Sequence, residues 1–287
     1  MSAQRSVVRD LQGAGLGERA ACRVVGIDRT SYRYQGTSTT DDATVRERIQ
    51  VLAHHHRRYG YRRITALLRR EGTRINHKRV WAIWRAEGLQ VPRQRVRKRH
   101  RGSGTGLPTA ARHRGHVWTY DFVFDRAERG QTLKMLTVLD EYTRECHQIR
   151  VGLSLTYHQV IETLGELVAA HGAPGYIRSD NGGEFIAEHL RSWLAEAGLA
   201  TIHITPGHPW ENGYIESFNG KLRDECLNEE IFWNVQHAQV VIEHWRRHYN
   251  EERPHSSLGY LTPSEFASTT HTQGTILLGK KMGSALD

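Results

Sequence analysis

Apolar residues recur at helical spacing over residues 4–34: Val7, Val8 and Leu11, then Ala20, Val24 and Val25. Gly26 breaks the pattern, Asp28 is placed to cap a new helix, and Ser31, Tyr32 and Tyr34 follow. Helix, glycine-containing turn and second short helix is the helix-turn-helix outline, although any small helical bundle gives the same pattern. The polar run QGTSTTDD (35–42) predicts a linker. A second helical pair follows. In YGYRRITALLRREG, Ile64, Leu67 and Leu68 form one apolar face while Arg62, Arg63, Arg69 and Arg70 project elsewhere, and Gly72 stops the helix. Asn76 is placed to cap NHKRVWAIWRAEG, whose Val80, Trp81, Ile83 and Trp84 are expected on the buried side. His77, Lys78 and Arg79 occupy the first turn, the part of a recognition helix that meets base edges or phosphates. The consecutive His54, His55 and His56 point in different directions on a helix and are expected at the surface rather than on one metal ion.

The pattern changes after residue 110. VWTYDFVFD (117–125) is rich in β-branched and aromatic residues and predicts a strand, with TLKMLTVLDEYTR (132–144) as its neighbour and CHQIRVG as a third. A helix follows through Val160, Leu164, Leu167 and Val168. Then come a short strand ending at Asp180, an amphipathic helix from EFIAEHLRSWLAEAG, a strand from LATIHITP and a helix from Glu211 onward. On that helix Tyr214, Ile215, Phe218 and Leu222 make the packing stripe, and Asn212, Glu216, Asn219 and Arg223 share a different face. Val240, Val241 and Trp245 give a further helix spacing that packs on the domain, and the HSSLGY turn after it is equally a DNA contact or a cover. Strands followed by alternating helices and strands indicate an α/β domain with a mixed sheet. The plan is a helix-turn-helix over 1–35, a linker 36–43, a second helix-turn-helix over 44–90, a basic linker 91–110, an α/β core with a C-terminal helix over 111–267, and a tail 268–287.

Charge divides along the same line. Residues 1–107 hold 24 Lys/Arg and 8 Asp/Glu, a balance of +16, and residues 108–287 hold 16 and 23, a balance of −7. Such asymmetry points to a polyanion, nucleic acid, as partner. VPRQRVRKRHR (91–101) with the GSGTG after it predicts a flexible basic tether that tracks phosphates through Arg93, Arg95, Arg97, Lys98 and Arg99. No apolar run reaches the roughly 18 residues of a membrane span, and the N-terminus lacks the apolar segment of a secretory signal. Cys22, Cys146 and Cys226 lie far apart, which suits a reducing cytoplasm and excludes a cysteine zinc cluster.

Three acids then carry the chemistry. Asp121 lies mid-strand among apolar neighbours, where an unpaired charge is costly. Asp180 lies just past a strand end and is followed by Asn-Gly-Gly, a turn that lets backbone approach a ligand closely. Glu216 follows it with 35 residues between them. Phosphodiester chemistry needs a strong nucleophile and a stabilised leaving oxygen. Two Mg²⁺ ions held by carboxylates supply both. Each acid taken alone is better explained as a cap or an ion-pair partner. The wording around them changes that: WTYDF, RSDNGGEF, TPGHPWENGYIESFNGKLRDECLN, YNEERPHSSLGYLTPSEF and the upstream RAACRVVGIDRTSYRY and HHRRYGYRRITALLRREG.

In these phrases, over nearly its whole length, the chain resembles OrfB-type transposases of the insertion-sequence-three family, relatives of retroviral integrases with a ribonuclease H-like core. The resemblance implies that Asp121, Asp180 and Glu216 are a catalytic triad binding two Mg²⁺, with Mn²⁺ as an alternative. It implies cleavage at element ends to give a 3′-hydroxyl that attacks another phosphodiester, a circular intermediate, and a homo-multimer that pairs two ends. Arg223 matches the basic residue that contacts the element's end. Lys221, Asn212, Arg62, Arg63, His77, Lys78 and Arg79 join Arg223 and the tether as candidate contacts to terminal repeats and target DNA. Often the family's active product is a frameshift fusion with a preceding frame, and this chain looks like the second frame. A bacterial cytoplasmic, nucleoid-associated location follows. A retroviral integrase is the nearest rival, but its His₂Cys₂ zinc module is missing; a ribonuclease would not need two helical readers. A catalytically silent DNA-binding regulator is the alternative from another class.

Overall fold

The computed structural model describes residues 2–33, 40–91, 110–179, 184–203 and 213–270, in two compact units, Met1–His55 and His56–Asp287. In the first unit α1 (Ser2–Gly13), α2 (Glu18–Val25) and α3 (Arg29–Arg33) close on Val8, Ala21, Cys22 and Ile27, with Leu11, Val25 and Tyr32 packed against them. Gly26 ends α2 at φ 69, the left-handed position where a side chain is strained. The buried stripe of α2 is Ala21 and Cys22, one position on from the expected Ala20, and Val24 is 69% exposed. A one-residue slip on a helix is a rotation of about 100°, and apolar spacing alone does not resolve it. The fourth helix, α4 (Thr40–His55), starts inside the stretch read as linker. His54 and His55 are exposed as expected.

The second unit begins with a helical pair, α5 (Tyr61–Arg70) and α6 (His77–Ala86). Ile64, Thr65 and Leu68 of α5 and Val80, Ile83 and Trp84 of α6 are buried. The Asn76 side chain accepts from the Lys78 N–H, the cap that the sequence predicts. Trp81 departs from expectation. It is 46% exposed, with the Arg85 guanidinium 5.7 Å from its ring centre.

The sheet contains β1 (Val117–Arg126), β2 (Thr132–Asp140), β3 (Cys146–Gly152), β4 (Tyr176–Ser179) and β5 (Ala200–His203), ordered β3-β2-β1-β4-β5. The first three are antiparallel, and β1, β4 and β5 run parallel. This mixed order is that of a ribonuclease H-like core. β2 stops at Asp140 rather than continuing to residue 144. The buried Asp140 carboxylate accepts from the N–H groups of Gly115, Tyr142 and Thr143 and so ties a turn in which Arg144 takes φ 65. One face of the sheet packs Trp118, Tyr120, Leu136 and Val138 against α7 (Tyr157–His171) and α8 (Glu184–Glu196). The other packs Val123, Leu133, Met135 and Leu139 against α9 (Gly213–Leu222) and α10 (Val235–Glu251).

Ile215, Phe218 and Leu222 bury the expected stripe of α9, while Tyr214 stays exposed with the Arg144 guanidinium 3.7 Å from its ring centre. On α10 the buried residues include Ala238, Ile242, Trp245 and Tyr249; Val240 is 70% exposed. After Ser256–Leu258, a 3-10 turn, a last helix α11 spans 263–270. Thr262 and Glu265 cap it reciprocally. No helix among the described residues is long and apolar enough to cross a membrane.

Candidate active site

The parallel pairing of β1 with β4 sets the geometry. Tyr120, the residue before Asp121, pairs with Ser179, the residue before Asp180. Asp180 itself lies outside the described residues. Asp121 faces Thr137 across the antiparallel pair with β2 and is half-buried. Its Oδ1 accepts from the Phe122 N–H at 2.8 Å, and its Oδ2 accepts from Asn219 Nδ2, also at 2.8 Å. The buried Thr137 hydroxyl lies 3.1 Å from both Asn219 Oδ1 and the Asp121 carbonyl oxygen.

Asn219 therefore anchors α9 on β1 at the position of Asp121. Glu216 stands three residues earlier on α9, one helical turn of about 5 Å away on the same face. One turn in the other direction, exposed Arg223 donates through Nη2 to the Phe124 carbonyl at 2.8 Å. Asp121 and Glu216, the two described candidate acids, are thus carried by elements that the Asn219 amide helps to join. That hydrogen bond spans 98 residues of chain. The sequence puts Asn219 on the polar face of α9 and gives it no role; its spacing from Glu216 is the signal that points to one.

A second polar interaction supports the same corner. Arg178, next but one before Asp180, is buried and donates through Nη1 to both oxygens of the equally buried Glu141, at 2.9 and 3.0 Å. With one nitrogen spanning both carboxylate oxygens, this buried pair holds the end of β4 to the β2–β3 turn.

The other candidates separate into groups. His77, Lys78 and Arg79 are exposed on the first turn of α6, and Arg62 is exposed on α5. Arg63 turns inward, 3.3 Å from Glu225 and 5.2 Å from the Tyr59 ring centre. Lys221 donates to the carbonyl and hydroxyl oxygens of Ser217, and burial, with Arg253 nearby, brings its ammonium down to about 8. Asn212, Arg93, Arg95, Arg97, Lys98 and Arg99 lie outside the described residues. Trp81 and Arg85 join His77 on one exposed face of α6, at spacings of four residues. Apolar spacing assigns Trp81 to the core, and the structure puts it at the surface instead. Among the described residues no group of three His, Cys, Asp or Glu is close enough to hold a metal ion, and Asp180 is outside that set.

The profile of an HTH-like domain matches residues 40–99, and two integrase core domain profiles match 111–209 and 197–263. The 39.2 kDa protein of insertion element IS476 from Xanthomonas euvesicatoria is 40% identical over 270 residues, 94% of this chain and 78% of that protein. The 31.7 kDa protein of insertion element IS407 from Burkholderia multivorans is 42% identical over 258 residues, covering 88% and 91%. A putative transposase for insertion sequence element IS150 from Escherichia coli is 28% identical over 268 residues, covering 87% and 93%. With its HTH-like region ahead of an integrase core on a ribonuclease H-like sheet, the chain belongs to the insertion-element transposases, a family of polynucleotidyl transferases.

Proposed function

We propose that Asp121, Asp180 and Glu216 form the catalytic set with which this transposase cuts DNA at element ends and joins the freed 3′-hydroxyl to target DNA. The observation that carries the assignment is the Asn219–Asp121 hydrogen bond, which seats the Glu216 helix on the strand whose register with β4 ends beside Asp180. The donor set fits a pair of Mg²⁺ ions, or Mn²⁺, because all three side chains are hard oxygen ligands. Held by these carboxylates, two such ions would activate the attacking oxygen and take up charge on the leaving one.

The chain's own residues do the rest. Asn219 and the Phe122 N–H fix both oxygens of Asp121, so that the carboxylate is oriented before substrate arrives. Arg223, exposed two turns beyond Glu216, meets a phosphate near the cut end. His77, Lys78, Arg79 and Arg62 contact the terminal repeats, and Arg93, Arg95, Arg97, Lys98 and Arg99 track the backbone between reader and core. The proposed domain plan has helical readers over 1–35 and 44–90, with α4 beginning at Thr40 inside the stretch read as linker, a basic tether over 91–110 and a core over 111–267. A homo-multimer pairs two ends, either alone or as a fusion with an upstream frame.

The test is strand cleavage and joining on a duplex carrying the DNA that flanks the reading frame, with Mg²⁺ added or chelated. Asp121→Asn, Asp180→Asn and Glu216→Gln are each expected to fall to background while retaining DNA binding. Wild-type rates in any of the three would remove that residue from the set.

A further inference from the structure

The phrases YGYRR (59–63) and NEERPHSSLGY (250–260) do no chemistry at the acids, yet the fold brings them together. α9 does not stop at Leu222. It continues into a π-helical turn, Arg223–Leu227, a form that recurs at functional sites. Asp224 and Glu225 on that turn face the approach to α5. Asp224 takes the Arg58 guanidinium, and Glu225 takes Arg63 at 3.3 Å together with Arg253, which grips both its oxygens at 2.5 and 2.6 Å. Buried Tyr59 lies between, its hydroxyl 3.0 Å from His248 Nε2 on α10 and its ring stacked on His56. At its far end α5 is held again. Arg70 donates to the carbonyls of Glu252 and Tyr260 and to the Glu265 carboxylate.

We propose that α5 couples the DNA reader to the catalytic helix: Arg58, with Arg63 beside it, holds the continuation of α9 and so sets the position of Glu216 once α6 is on DNA. This rests on the assignment of Glu216 above. The physical ground is the low exposure of the partners. Glu225 is 9% exposed and Arg253 is 1% exposed, while Arg63 and Arg58 on the α5 side are 26% and 23% exposed, so moving α5 strips Arg63 from Glu225 and opens that buried pair to water. A force on α6 therefore reaches Glu216 through α5, the π-helical turn and two turns of α9. Arg58 and Asp224 are positioning residues in this scheme and touch no reacting atom.

Three full-length variants test it: Arg58→Asp, Asp224→Arg and the double swap. Affinity for a labelled duplex carrying the flanking DNA and the single-turnover cleavage rate at saturating duplex are measured on each. The single variants are expected to bind within about threefold of wild type and to cleave about tenfold more slowly, and the swap to recover most of that rate. Such a separation of rate from affinity, with rescue by reversed charge, does not arise from mere loss of stability. Singles that cleave at the wild-type rate would overturn the proposal, as would a swap no faster than the singles. A loss of affinity that accounts for the whole loss of rate would overturn it too, since it would make Arg58 a phosphate ligand. Should a single variant not fold, Arg58→Gln is measured by the same criteria. A wild-type protein that binds the duplex and never cleaves it would strike the Glu216 assignment itself, a different result from any of these.

Discussion

Asn219 offers both ends of its amide to one corner of the sheet, the nitrogen to Asp121 and the oxygen to the Thr137 hydroxyl. Hydrogen bonds to a charged group contribute about 1.5–3 kcal/mol, so Asn219→Ala is expected to lower unfolding stability by about that much and to slow cleavage. Asn219→Asp sets a second negative charge against the first and is expected to slow cleavage further. Denaturant melts and single-turnover rates on both variants check this. Two residues along, Lys221 makes a different kind of prediction. Burial, reinforced by Arg253 and Arg63, lowers its ammonium from 10.5 to about 8. Between those values the unfolded chain holds a proton that the folded chain has released. Stability therefore rises with pH through that window, and the contribution is lost as pH falls through about 8. Melts of Lys221→Met alongside wild type on either side of the window are expected to show this part of the rise only in wild type.

At the scale of elements, the sheet strands and α7 to α10 are legible in the sequence because alternation and 3.6-residue spacing report which residues turn inward together. Which way an element faces its neighbours is less so. Val24, Trp81, Tyr214 and Val240 are apolar positions read as core that the structure leaves exposed. On α2 the stripe is rotated by one residue; for the others the period is right and the width of the buried stripe is not, since that width depends on a partner far away in sequence. The same limit hides the Asn219–Asp121 bond and the pairing of Arg58 and Arg63 with Asp224 and Glu225. The three acids are singled out by their neighbours in sequence rather than by their neighbours in space. Trp81 turns this shortfall into a test. On α6 it shares an exposed face with His77 and Arg85, whereas Trp84, four residues before Gly88, is buried. Trp84→Ala is expected to cost about 3–5 kcal/mol of stability. Trp81→Ala is expected to cost under about 0.5 kcal/mol, as exposed positions do, and to weaken DNA binding instead. Equal losses of stability in the two variants would return Trp81 to a packing role.

For the whole molecule the governing quantity is the charge division, +16 over residues 1–107 against −7 over the remainder. An acidic catalytic half repels the backbone it must cut, so the basic half has to bring DNA to it. Two kinds of interaction contribute, and salt separates them. Neutralising a phosphate releases counterions, and each phosphate so neutralised contributes a slope of about −0.9 in log K against log salt on duplex DNA. Such interactions are also indifferent to sequence. Removing the tether's charge by Arg93→Gln, Arg95→Gln, Arg97→Gln, Lys98→Gln and Arg99→Gln is therefore expected to flatten that slope by up to about 0.9 for each phosphate left without its cation. Binding to flanking and unrelated duplexes is expected to weaken alike. His77→Ala and Lys78→Ala at the start of α6 are expected to narrow the preference for flanking DNA over unrelated duplex, because base edges rather than phosphates carry sequence. Salt titrations on both duplexes distinguish the two outcomes. If the tether variant lost preference while keeping its slope, reading would belong to residues 91–101 rather than to α6, and the division of labour between tether and helix would be reversed.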